Sequence, residues 1–192
     1  SEASLTIHLK GTNDAPTITF GQDGGRAVVS EEGLTRAGGN YDNGIPDHGN
    51  NHPSGDQTND ASTSGSFTIK DVDTNLADVT VSLGESVTAV SLSPGFGATP
   101  LTSHGQEIHW AYDSSTQTLQ GYIGTPGQDD YRDILKIELH QGETDGKPNG
   151  EYTYTVTLQG AIDHPDSAHA HEDVLNLNVP ITIDDGQGGE TP

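Results

Sequence analysis

The chain contains no cysteine, so no disulfide, thiolate metal ligand or thiol nucleophile is available to it. Basic residues are nearly as scarce: seven Lys and Arg stand against 29 Asp and Glu, for a formal net charge of -22 at pH 7. Binding to nucleic-acid phosphates, which needs clustered cations, is thereby excluded. No run of about 18 apolar residues occurs, so no membrane insertion is expected. Only 29% of the 192 residues are hydrophobic and 5% aromatic. Low hydrophobicity beside a large net charge is normally the signature of disorder. A fold built from this chain has a thin core and must offset its own repulsion.

What the sequence does contain is alternation. Tyr152, Tyr154, Val156 and Leu158 share one face of a run whose other face is Thr153, Thr155 and Thr157. Leu175, Leu177, Val179, Ile181 and Ile183 alternate with Asn176, Asn178 and Thr182. Shorter runs of the same period are Leu5-Ile7-Leu9, Val79-Val81-Leu83, Ile108-Trp110-Tyr112 and Leu135-Ile137-Leu139. A period of two buries one face of a strand and wets the other. Two antiparallel sheets packed face to face satisfy that pattern. Gly, Pro, Asn and Asp clusters between the runs supply turns. The 25 glycines are about twice the usual share, as a chain that turns so often requires. The reading is all-β: one antiparallel β-sandwich over residues 16–185.

Two kinds of segment fall outside this pattern. Residues 36–64, from Arg36 to Ser64, have no period, and a loop of that length is usually functional or mobile. Residues 1–15 read as a strand followed by a linker, and 186–192 as an outgoing linker. Linker-like sequence on both sides suggests a segment of a longer array.

Asn13-Asp14-Ala15-Pro16 resembles the linker between cadherin-like (Ig-like) repeats of giant bacterial surface proteins. The body resembles the repeat of about 143 residues found in large type I-secreted adhesins of the RTX (repeats-in-toxin) class. The matching pieces run in order: Ser30-Glu31-Glu32-Gly33-Leu34, Gly65-Ser66-Phe67-Thr68 into Asp71-Val72-Asp73, and Gly150-Glu151-Tyr152-Thr153-Tyr154-Thr155-Val156-Thr157-Leu158. Ile162-Asp163-His164-Pro165, Asp173-Val174-Leu175 and Val179-Pro180-Ile181-Thr182-Ile183-Asp184-Asp185-Gly186 complete the set. The resemblance implies a secreted, cell-surface, calcium-dependent repeat in an adhesin that serves attachment or biofilm formation. Its export signal would lie C-terminal to this segment. The glycine-rich nonapeptides of a calcium-binding β-roll are missing, so any calcium must sit in the loops of the sandwich.

The residues make their own case for calcium, a hard cation that takes six to eight oxygen ligands. Asp71-Val72-Asp73-Thr74-Asn75 offers side-chain oxygens at alternate positions, like the opening of an EF-hand loop. The helical EF-hand itself is excluded, because Leu76 stands where it needs Gly and Ser82 where it needs Glu. If the first strands run down and back up, Asp71 and Asp73 return to the linker carrying Asn13 and Asp14. By the same count, Glu31 and Glu32 lie at the opposite end, near Asp184 and Asp185. The expectation is calcium at each of two poles, locking the junctions with neighbouring repeats. Ordinary solvated turn acids are the plainer alternative.

Other chemistry is weakly supported. His169 and His171 share a face if extended, but no closed ligand set surrounds them, and His104 and His109 suit plain surface positions. No nucleophile elbow, zinc-protease helix or phosphate-cradling loop occurs, and a carboxylate pair spaced for glycoside hydrolysis could arise by chance. The chain is not expected to be an enzyme. Either it is an extender holding a ligand-binding region away from the cell, or it binds a glycan or protein itself through the long loop. Trp110, Tyr112, Tyr122, Tyr131 and Tyr41 are the aromatics available to a sugar site; the first three fall in strand patterns and suit core or cross-strand pairs, and only Tyr41, in the long loop, is free to serve.

Overall fold

The computed structural model describes residues 14–34, 60–90, 100–163 and 175–186. The strand expected at residues 4–9, Tyr41, most of the long loop and the histidines at 169 and 171 lie outside them.

The strand Lys147–Leu158 (β10 in chain order) organises the fold. Its Thr-Tyr-Thr-Val-Thr-Leu alternation gives it one oily and one hydroxylated face, and both edges are paired. One neighbour is β9 (Arg132–Thr144), joined to it through Asp145 and Gly146, whose φ values of 54° and 73° make the two-residue turn of a hairpin. The other is β2 (Ser62–Lys70), followed outward by β1 (Thr17–Phe20). Beyond β9 lie β8 (Thr118–Ile123) and β7 (His109–Asp113). The six-stranded sheet has the order β1-β2-β10-β9-β8-β7 and is antiparallel throughout.

The second layer is made of short ladders. β3 (Thr80–Leu83) pairs with β12 (Ile181–Asp184), and β4 (Thr88–Val90) with β11 (Asn176–Asn178). A small hairpin, β5 (Thr102–Ser103) with β6 (Gln106–Glu107), closes one end. Phe67, Ile69, Leu119, Ile137, Leu139 and Tyr152 of the large sheet are buried in one cluster with Val79, Val81, Leu83 and Ile183 of the small one. Phe67 and Tyr152 stack at 5.1 Å in its centre. The architecture is thus an all-β antiparallel sandwich.

Two expectations need correction. The alternation from Leu175 to Ile183 is two strands with different partners, because Pro180 carries no N–H and breaks the ladder. Its carbonyl instead accepts Gly84 N–H at 2.8 Å. β2 also begins at Ser62, inside the stretch read as loop. There Ser62 and Ser64 share hydrogen bonds of 3.1 and 3.0 Å with Thr157 and Thr155 across the ladder.

Edge strand β7 is partly covered by Glu85, whose Oε1 accepts Tyr112 N–H at 2.7 Å. Gly65 of β2 has no room for a side chain: a Cβ there would run into the Tyr154 hydroxyl and the Asp23 carboxylate that it bonds. Gly65→Ala is expected to lower stability by about 1–3 kcal/mol through overpacking and loss of that bond, read as an earlier urea midpoint.

Candidate metal centre at one end of the sandwich

Strand directions fix which acids meet. β1 starts where β2 ends, with Thr17 opposite Lys70. β12 ends where β3 starts, with Asp184 opposite Thr80. The connection from Lys70 to Thr80 therefore sits beside both the incoming segment at Asp14 and the outgoing segment at Asp185. We call this the linker end.

The connection is ordered from within. Asp71 Oδ1 accepts the N–H groups of Asp73 at 2.9 Å and Thr74 at 2.8 Å. Asn75 follows suit, accepting Ala77 N–H at 3.1 Å, and its carbonyl takes Asp78 N–H at 2.8 Å. Val72 is 87% exposed, whereas Leu76 and Val79 anchor the later part of the connection on the core. The incoming chain is tied in by Asp14 N–H, which donates to Asp73 Oδ2 at 3.1 Å.

Two oxygens remain unsatisfied. Asp71 Oδ2 and Thr74 Oγ1 are shut off from solvent and have no hydrogen-bond partner. Leaving a buried carboxylate oxygen without a donor is costly, and native structures rarely do so without a reason. Asp185 approaches the same place with only 2% of its surface exposed. The N–H of Asp73 is the main influence holding the Asp71 carboxyl below its usual range; burial and the Asp185 charge oppose it. Like charges converging on buried oxygen are a natural cation seat.

The sequence-predicted residues divide as follows. Asp14, Asp71, Asp73 and Asp185 gather at the linker end, with Asp184 exposed on the adjoining strand end. Asn13 and the Glu32 side chain lie outside the described residues. Asp184 and Asp185 do not lie with Glu31, contrary to expectation. β12 runs toward the linker end, whereas Ser30, just before Glu31, bonds Asp60 at the far end. Thr74 was not singled out as a ligand, since a lone Thr in a turn carries no signal of burial. Among the described residues, no three His, Asp or Glu side chains form a finished ligand set. The oxygen-only donors present nonetheless fit a hard cation, with Thr74 and backbone carbonyls available to supplement them.

At the far end, acids serve the backbone. Glu31 Oε1 accepts Ile162 N–H at 2.7 Å. Asp163 takes His104 N–H on Oδ1 at 2.9 Å and Gly105 N–H on Oδ2 at 2.7 Å, bracing a turn whose φ values are 50° and 73°. His104 thus occupies the surface turn expected of it, and His109 opens β7. Comparison with known proteins found no matching family profile, curated protein or solved structure.

Burial pushes the Asp163 carboxyl up, but bonds from Gly105, Thr102 and His104 outweigh it and leave it below the usual value. A depressed folded value gives stability that is present above the unfolded carboxylate pKa of about 3.9 and lost as pH falls through the folded value. Asp163→Asn should therefore lower the melting temperature at pH 7 by about 2–4 °C. The gap from the parent should close in melts run below about pH 4.

Proposed function

We propose that the chain is a calcium-stabilised extracellular repeat of a large bacterial adhesin, an extender in an array exported by type I secretion. The observation that carries this reading is the buried, unpartnered Asp71 Oδ2, with the buried Asp185 near enough for its charge to act on Asp71. Asp71, Asp73, Asp14 and Asp185 are the side chains that would hold the ion, and Thr74 supplies a further oxygen. Bound calcium would supply positive charge where these carboxylates otherwise repel.

The chain's own residues explain why such binding would matter. Asp14 belongs to the incoming segment, Asp71 and Asp73 to the first connection between the layers, and Asp185 to the outgoing segment. Joining them fastens both ends of the chain to one body. The two junction sites expected from the sequence reduce to one shared seat. In cytosol, with little free calcium, repulsion at this seat and the thin core favour a threadable chain. Outside the cell, modules of this kind bind calcium with dissociation constants on the order of 0.1–1 mM. Binding to the folded form alone then drives folding after export. No part of this mechanism requires catalysis.

The test is a thermal melt in excess chelator and in about 10 mM calcium, with magnesium as control. Calcium should raise the melting temperature by about 3–10 °C per site and magnesium far less, with the shift absent in Asp71→Asn and reduced in Asp73→Asn. A parent chain that melts identically in chelator and calcium rules the reading out.

A further inference from the structure

We propose that the outward face of β8, with the adjoining ends of β7 and β9, binds a neutral polysaccharide on a platform of three aromatic rings. His109 and Tyr122 lie opposite each other on β7 and β8, with ring centres 5.8 Å apart and planes tilted by 48°. Tyr131, just before β9, continues the row at 5.2 Å from Tyr122 and a tilt of 34°. Leu119 and Ile123, which alternate with Tyr122, are buried, so the row stands on the face away from the core. His109 is exposed and both tyrosines are only partly buried. A chain with one Trp, six Tyr and three Phe has placed two tyrosines where the core cannot use them.

Cross-strand pairing accounts for His109 with Tyr122 but not for Tyr131, which precedes its strand. Tyr131 is held by polar bonds. Its hydroxyl donates to Asp133 Oδ1 at 2.8 Å, and Arg132 Nη1 grips the carbonyls of Asp129 and Tyr131, each at 2.6 Å. Burial, together with Asp133, pushes its phenol up to about 12, so it stays neutral at physiological pH. A ring fixed in advance loses little freedom on binding.

Charge selects the occupant. A net charge of -22 repels anionic polymers, including acidic glycans. The strand beside the rings, β9, presents Asp133 and a Lys136–Glu138 ion pair of 3.1 Å, and the uncharged rows of Thr153, Thr155 and Thr157 on β10 and Ser62, Ser64 and Ser66 on β2 lie beyond it. A protein partner would need a dry apolar centre, which this polar surround does not offer. A polyhydroxylated neutral chain suits it, stacking sugar faces on the rings and donating hydroxyls to Asp133. The rings also lie at the far end, where β8 and β9 run past the last paired residue of β10, Leu158 opposite Leu135. Among the described residues, the incoming segment at Asp14 and the outgoing segment at Asp185 lie at the opposite end.

The test is electrophoresis of the intact chain in native gels containing dextran, galactomannan, xyloglucan or hydroxyethylcellulose, with alginate as the anionic control. At least one neutral polymer should retard it and alginate should not. Tyr122→Ala and Tyr131→Ala should each weaken retardation about tenfold, while Tyr131→Phe, which keeps the ring, retains most of it. No retardation by any of the four neutral polymers overturns the proposal, as does full retardation of the Tyr122→Ala/Tyr131→Ala double variant. If that double variant does not fold, amide shifts of the parent titrated with fragments of the retarding polymer decide. Changes clustered at His109, Tyr122, Tyr131 and Asp133 support the platform, and changes confined elsewhere overturn it. Shifts at the same residues with pentalysine but with no glycan also overturn it. The calcium melts are independent of every one of these outcomes.

Discussion

Asp71 fills one carboxylate oxygen with backbone N–H groups of its own loop and buries the other with nothing to bond it. The rest of the sandwich is arranged around that imbalance. The loop carrying Asp71 is the first crossing between the two layers. The incoming segment hydrogen-bonds to it through Asp14, and the outgoing segment brings the almost fully buried Asp185 near enough for its charge to act on Asp71. Hydrogen bonding keeps the Asp71 charge in place while the Asp185 charge opposes it.

The apolar budget explains why such a seat would matter. The core is one layer of side chains between a six-stranded sheet and short two-stranded ladders, and isolated two-stranded pieces are marginal in water. β12 holds its place through four paired residues on β3 and the burial of Ile183. Asp185 follows at once, so whatever happens at the seat acts directly on this short ladder. By contrast, β9 and β10 form a long hairpin with a tight Asp145-Gly146 turn, and they supply several core residues from contacts local in sequence. Stability in this fold is therefore uneven, high in the hairpin and lower where the chain leaves.

How far the sequence reveals this follows from the kind of information involved. The Tyr152 to Leu158 alternation predicts both the strand and its buried face, because a period of two is a local property. The same is true of Val79, Val81 and Leu83, and of Leu135, Ile137 and Leu139. The Leu175 to Ile183 run misleads, since its alternation continues smoothly across Pro180 while its hydrogen bonding does not. That break does not turn the chain, since β11 and β12 run the same way along β4 and β3; the end at which Asp184 and Asp185 emerge depends on counting every earlier reversal, which periodicity does not supply. The meeting of Asp14 with Asp73 needs only one hairpin-like return and is legible. The ring row is not, because it depends on the register shift between Gly121 and Tyr122 and on the pairing of Tyr122 with His109 and Asp133.

The two ends of the molecule use acids differently, and this separates their roles. At the far end, Glu31 and Asp163 each receive backbone N–H groups, so their charge is already compensated by dipoles of the fold. At the linker end, the compensation is incomplete, and the unsatisfied oxygen points inward where water does not reach it. An external cation can therefore stabilise one end without disturbing the other. Among the described residues, both chain segments leave from the linker end, and the opposite end is braced by the bonds of Glu31 and Asp163. That end carries the rings of His109, Tyr122 and Tyr131, beside Asp133 and the Lys136–Glu138 pair of β9. If the proposed functions hold, attachment and display would fall at opposite ends of a single sandwich, and the direction of β12 is what separates them.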